Sequence, residues 1–100
     1  MVTFRFPWNS TARTKATLDS YIERSKYSIR KAAYENRYYM EIGPCIELGP
    51  GNRITFGENM LSGDFSDSPR DLLGECSRDF YDFLKTTGIK FTVYPRTPSP

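Results

Sequence analysis

The fold of this chain is decided by residues 38–56, whose sequence is YYMEIGPCIELGPGNRITF. Apolar and polar residues alternate over 38–42 and again over 45–48, and Gly43 and Pro44 interrupt the pattern. A Gly-Pro-Gly-Asn sequence follows at 49–52, and the alternation returns at 53–56. Alternation with a period of two is typical of strands with one buried face, and clustered Gly, Pro and Asn are typical of turns. These residues predict a β-hairpin, with one interrupted strand before the turn and one strand after it.

Two more strands are predicted near the ends of the chain. Apolar residues occupy alternate positions in residues 2–6 and again in residues 89–94. Pro7 closes the first of these segments and Pro95 closes the second. Because proline cannot donate to a ladder of hydrogen bonds, both strands are expected to stop there.

Two helices are predicted between the strands. Residues 11–36 contain neither Gly nor Pro, and apolar or small residues recur there at steps of three and four: Leu18, Ile22, Ser25, Ile29 and Ala32. This spacing predicts one long helix with a thin apolar face. The second helix is predicted to begin with Ser68 as N-cap and Pro69 in its first turn, and to end before Gly88.

The predicted order is β-α-β-β-α-β, which matches the split-βαβ, ferredoxin-like fold: a four-stranded antiparallel sheet with two helices on one face. The expected spatial order of its strands is 4-1-3-2, and Pro44 and Pro95 would then lie in or beside the two edge strands. The fallback, without the first strand, is α-β-β-α-β. We expect one α+β domain over residues 1–94 and a flexible, proline-rich tail over 95–100.

Charge is balanced overall but unevenly placed. The 100 residues include 14 Lys and Arg against 12 Asp and Glu, a formal charge of +2, and no histidine. The absence of histidine excludes Ser–His and Cys–His catalysis and imidazole metal sites. Residues 1–37 carry a net +5 and residues 38–100 a net −3, so a basic first third is combined with an acidic remainder.

The two cysteines give no sign of a metal or redox site. Cys45 and Cys76 lie 31 residues apart and form no CxxC motif. A disulfide between them is one alternative, and buried free thiols are the favoured one. We expect no cofactor and no metal. No apolar run is long enough to span a membrane, and the first residues lack a signal-peptide core, so a cytoplasmic location is expected.

Basic residues and tyrosines are interleaved on the predicted long helix. With Phe65 from the acidic loop that follows the hairpin, they form a candidate protein-binding set: Arg24, Tyr27, Arg30, Lys31, Tyr34 and Phe65. Tyr and Arg dominate binding hot spots, and no catalytic constellation is visible. The leading hypothesis is a non-enzymatic protein-binding module, an inhibitor or adaptor that docks onto a larger assembly. Small domains of this kind are often phage or mobile-element products that act on host machinery.

The alternative is a nucleic-acid-binding domain that uses the basic first helix or the sheet face away from the helices. The strand pattern places cations and tyrosines on that face: Arg5, Tyr39, Arg53, Lys90 and Tyr94. Aromatic rings stack on bases and cations hold phosphates. Against it, residues 53–57 do not match the third-strand signature of RNA-recognition motifs, and both tyrosines fall on predicted edge strands. The oligomeric state stays open between monomer and homodimer.

Overall fold

A computed structural model describes residues 2–7, 11–31, 37–40, 43–49, 52–58, 70 and 73–94. These residues form six strands and two helices. In chain order they are β1 (Val2–Arg5), α1 (Thr11–Arg24), β2 (Ile29–Lys31), β3 (Arg37–Met40), β4 (Cys45–Gly49), β5 (Arg53–Phe56), α2 (Glu75–Thr87) and β6 (Thr92–Tyr94). Neither helix in these segments is long and apolar enough to cross a bilayer.

All six strands belong to one antiparallel sheet in the order β2-β3-β4-β5-β1-β6. The α+β class, the antiparallel sheet and the two helices agree with the prediction. The four-stranded sheet is wrong, because β2 and β3 extend it beyond β4. The three-stranded fallback is also wrong, because β1 pairs with β5 on one side and with β6 on the other.

The segment predicted as one interrupted strand is a hairpin of its own. β3 and β4 pair antiparallel, with Tyr39 opposite Cys45. The chain therefore reverses between Met40 and Cys45, where the pattern was interrupted, and Gly43 there has a φ of 140°, in a region that side chains disfavour. Pro44 therefore lies between two inner strands, and the prediction that it marks an edge strand is wrong.

The first helix is shorter than predicted. It ends at Arg24, and residues 29–31 form the edge strand β2 instead of continuing the helix. Just after the helix end, the Ser25 hydroxyl accepts the backbone N–H of Tyr27 at 3.0 Å. Serine competes with helical hydrogen bonding in this way and favours turns. Ile29, counted as helical from its spacing, pairs with Met40 across the sheet.

The second helix also starts later than predicted. It begins at Glu75 with Gly74 as N-cap, and Ser68 and Pro69 lie outside the described residues. The cap comes from a distant side chain: Glu58 Oε1 accepts the N–H of Cys76 at 2.9 Å, and Oε2 accepts that of Ser77 at 2.9 Å. The helix end agrees with the prediction, since Gly88 closes it with a φ of 74°.

The core lies between the helices and one face of the sheet. Phe80 of α2 is at its centre, with ring centroids 4.9 Å from Phe4, 4.9 Å from Tyr21 and 5.3 Å from Phe56. The three phenylalanines have no exposed surface. Edge-to-face packing of such rings adds to the hydrophobic stabilisation from their burial.

The Glu58 cap explains why residue 74 is glycine. A Cβ built on Gly74 would overlap the Glu58 side chain, although the backbone there, at φ −70° and ψ 176°, suits any residue. We expect Glu58→Ala to lower the free energy of unfolding by about 2 kcal/mol, because three donors lose a charged acceptor: the N–H groups of Cys76 and Ser77 and the Ser77 hydroxyl. Gly74→Ala should destabilise the native protein by about 1–3 kcal/mol through the steric overlap.

Urea denaturation of both single variants and the double variant tests this coupling. In the Glu58→Ala background, Gly74→Ala should cost less than half of what it costs in the native protein. Gly49→Ala is the matched control, because a Cβ there meets no atom within 4 Å, and its effect should stay within about 0.5 kcal/mol. Additive effects of Glu58→Ala and Gly74→Ala would contradict the contact.

Candidate functional site

The sheet has one face packed against the core and one face turned away from it. The alternate positions Val2, Phe4, Ile46, Ile54 and Phe56 are fully buried. Directly opposed strand residues point to the same side, so the register defines the other face, which we call the open face. Its described charged and aromatic residues are Arg5, Arg30, Arg37, Tyr39, Glu47, Arg53 and Tyr94. Among these described residues, four arginines against one glutamate give a formal charge of +3.

Three of the residues predicted for nucleic-acid binding lie side by side on the open face. Arg5 is opposite Arg53 on β5, and its guanidinium lies 5.7 Å from the centroid of the Tyr94 ring on β6. We call Arg5, Arg53 and Tyr94 the Arg5 cluster. Arg5 is exposed, and the other two are half-buried. A cation against a ring, with a second cation beside it, presents charge and an aromatic surface in one place.

The other two residues of that set lie elsewhere. Tyr39 is on the open face, but on β3, four strands away from β6. Its prediction as an edge-strand residue is wrong, since β2 lies outside β3. Lys90 is exposed between α2 and β6, outside any strand. Tyr94 does lie on an edge strand, as predicted.

The candidate protein-binding set does not share one helix face, because the helix that was to carry it ends early. Arg24 is the last residue of α1, and Tyr27 lies in the turn after it. Arg30 is on β2 opposite Tyr39, and Lys31, the last residue of β2, pairs with Tyr38. Tyr34 and Phe65 lie outside the described residues.

Sequence reasoning missed two arginines of the open face. Arg37 precedes the alternating run and forms an ion pair with Glu47, 3.3 Å from Nε to Oε2. A predicted strand that began at residue 37 would have placed Arg37 on the open face, because Arg37 and Tyr39 are two residues apart and so point to the same side. Arg30 carried no such signal, since its neighbours have helical spacing. Its place on the face follows only from the pairing of β2 with β3.

A groove of about 370 Å³ runs between the ends of α1 and α2, away from the open face. Arg24 and Lys26 line one side of it, and Asp79 and Asp82 line the other. At its base the Tyr21 hydroxyl donates to Asp79 Oδ2 at 2.8 Å. Burial and then this hydrogen bond raise the pKa of Tyr21, so its phenol stays protonated and holds the two helices together.

The cysteines are free thiols, as favoured from the sequence. Burial, followed by the negative charge of Glu58, raises the pKa of Cys76, so this thiol stays protonated at neutral pH. A protonated thiol is a poor nucleophile and a poor metal ligand. Within the described segments, no three Cys, Asp or Glu residues cluster as a metal site requires.

The chain matches no protein-family model, and comparisons with curated proteins and with solved structures found no significant match. The function must therefore be argued from the surfaces of the molecule.

One ion pair beside the groove gives a pH-dependent prediction. Arg70 holds Asp82 with two hydrogen bonds, 2.7 Å from Nε to Oδ1 and 2.8 Å from Nη2 to Oδ2. The Arg70 hydrogen bonds lower the pKa of Asp82, and partial burial opposes them. Since the side chains are 41% and 50% exposed, the pair is worth at most about 1 kcal/mol.

We expect Asp82→Asn to lower the free energy of unfolding by about 1 kcal/mol or less at pH 7. A carboxyl group whose pKa is lowered in the folded state stabilises the protein at pH values above its ordinary pKa of about 3.9. This contribution is lost as the pH falls through the lower pKa of the folded state. Urea denaturation at pH 7 and at about pH 3 should therefore show the difference shrinking in acid. Arg70→Lys keeps the charge but not the two-pronged contact, and should cause most of the same loss. A difference that grows in acid would contradict this assignment.

Proposed function

We propose that this protein binds single-stranded nucleic acid on the open face of its sheet. The observation that carries the proposal is the set of charged and aromatic residues that the structure describes on that face: four arginines and two tyrosines against one glutamate. Arginine recognises phosphate through a planar fork of donors, and tyrosine offers a surface for base stacking. Few other ligands combine repeated negative charge with planar rings.

The shape of the face supports the same proposal. Gly49 is the β4 neighbour of Arg53, and a Cβ there would meet no atom within 4 Å. Thr3 and Thr55 lie opposite each other in the next row. These small side chains leave a shallow surface beside the Arg5 cluster. A flexible polyanion can approach the backbone closely on such a surface.

The distribution of charge in the chain also fits. The basic first third supplies Arg5, Arg30 and Arg37 through three different strands. On the helix side, acids and bases are mixed, since Asp79 and Asp82 line the groove opposite Arg24 and Lys26. A surface whose described charges are mostly positive attracts a polyanion more strongly than such a mixed surface does.

Fluorescence anisotropy with a labelled single-stranded 12-mer tests the proposal. If four arginines each contact a phosphate, the logarithm of the affinity should fall with the logarithm of the salt concentration at a slope of about −2.8. The affinity should then drop about fifty-fold between about 50 and 200 mM salt. The double variant Arg5→Gln/Arg53→Gln should bind more weakly, with a slope of about −1.4 and a drop of about sevenfold.

The matched control removes the same charge from another surface. Arg13 and Lys15 are exposed on α1, whose helix packs on the opposite side of the sheet. Arg13→Gln/Lys15→Gln should leave the slope nearly unchanged. Equal weakening by both double variants would indicate diffuse attraction to net charge and contradict a site on the open face. Absence of binding by the native protein would refute the proposal.

The second candidate is the protein-binding module, an inhibitor or adaptor that docks onto a larger assembly. The observation that favours it is the groove between the helices, which is lined by Arg24 and by the partly buried Phe83. An arginine beside an aromatic side chain in a concave site resembles a binding hot spot.

Co-purification from the native host, followed by titration of the identified partner, tests this candidate. A partner whose affinity falls at least tenfold with Arg24→Ala, but not with Arg5→Gln/Arg53→Gln, would support docking in the groove. A partner that is insensitive to Arg24→Ala, or the absence of any partner, would count against it. Lys90→Ala, which changes an exposed cation remote from the groove lining, is the control.

A further inference from the structure

Tyr39 stands out on the open face. It is 44% exposed, and it is the only exposed large hydrophobic side chain among the described residues. Burying an aromatic ring gains more free energy than burying most other side chains, so an exposed ring on an open sheet face is a candidate contact for another molecule. Tyr39 belongs to an inner strand, which is paired on both sides.

Cations flank this ring on two sides. Arg30 is directly opposite Tyr39 on β2, and Arg37 lies two residues earlier on the same face of β3. Both arginines are exposed. The Tyr39 end of the sheet therefore repeats the composition of the Arg5 cluster, a tyrosine with two arginines beside it.

The tyrosines of the two clusters lie on strands that are far apart in the sheet. Four strand spacings separate β3, which carries Tyr39, from β6, which carries Tyr94, and at about 4.8 Å each they span about 19 Å. The side chains between them in the rows of Tyr39 and Tyr94 include Cys45, Thr55 and Thr3, with Gly57 beyond Cys45. Among the described residues of those rows, the large side chains that a nucleic-acid strand would meet between Tyr39 and Tyr94 are those of the Arg37–Glu47 pair.

We infer that Tyr39 is a second base-stacking subsite, and that a single strand runs across the β-strands from the Arg5 cluster to Tyr39. This inference rests on the proposed function and adds the path and length of the ligand. At the 3.4 Å rise of a stacked strand, about 19 Å corresponds to roughly six nucleotides. A trinucleotide reaches only one of the two tyrosines, and a nonamer reaches both. A duplex keeps its bases paired and stacked, so it cannot place one on Tyr39.

Anisotropy titrations of Tyr39→Ala against oligonucleotides of different lengths test the inference. We expect an affinity loss of about tenfold for a single-stranded nonamer, as for the loss of one stacked base. The loss should be less than twofold for a trinucleotide or a nonamer duplex. Tyr39→Phe keeps the ring and should retain the affinity of the native protein. Deoxyribose and ribose nonamers, run in parallel, distinguish DNA from RNA as the ligand.

Crosslinking supplies a second readout, which locates the bound base on the protein. A nonamer with a photoreactive halogenated pyrimidine at one end should crosslink to the peptide that contains Tyr39, and Arg5→Gln/Arg53→Gln should reduce the yield. Because Tyr39 is exposed, Tyr39→Ala should keep the native circular dichroism spectrum and unfolding midpoint.

The outcomes separate the inference from the function on which it rests. If Tyr39→Ala binds the nonamer as the native protein does, while Arg5→Gln/Arg53→Gln binds it weakly, the Tyr39 subsite is refuted and the proposed function stands. The subsite is likewise refuted, and the function retained, if Tyr39→Ala weakens the binding of duplex and trinucleotide as much as that of the nonamer. If the native protein binds no single strand of any length, the Tyr39 subsite and the proposed function are both refuted.

Discussion

The packing of Phe80 against the inner side of the sheet is the interaction on which the rest of the structure depends. Its ring lies against Phe4 of β1 and Phe56 of β5, and against Tyr21 of α1. Both helices and the neighbouring strands β1 and β5 therefore meet at one side chain. Side chains alternate along a strand, so when Phe4 and Phe56 face the core, the residues between the buried positions of β1 and β5 face away from it. This is why Arg5 and Arg53 are on the open face.

The extent of that face depends on two short segments. At Gly43 the chain reverses, which turns one expected strand into the β3–β4 hairpin. At Ser25 the first helix has ended, and the chain is free to return as β2. Together they widen the sheet by two strands and bring Tyr39, Arg37 and Arg30 onto the same surface as the Arg5 cluster. The second arginine–tyrosine cluster exists only because of these two turns.

Much of the architecture could be predicted because its signals are local. Alternation over 2–5 and 53–56 identified β1 and β5, and Gly88 located the end of α2. The errors fell where two local signals competed. Residues 25–31 have helical spacing, yet Ile29 gains a cross-strand neighbour that only the folded sheet provides. The N-cap of α2 comes from Glu58, too far away in sequence for a capping pattern to include it. The strand pattern correctly placed Arg5, Arg53 and Tyr94 on the open face. Arg30 lies there because β2 pairs with β3, and no sequence pattern indicated that pairing.

By itself, the sequence determined which residues alternate, and hence which side chains share a face within a strand. It also determined that no histidine chemistry is available and that positive charge is concentrated in the first third of the chain. Only the tertiary structure decided how many strands stand side by side and in which order. Strand order depends on contacts between distant residues, and these are selected by the packing of the whole core around Phe80 rather than by any local preference. The same packing assembled arginines from four separate strands into one surface, which no stretch of the sequence contains.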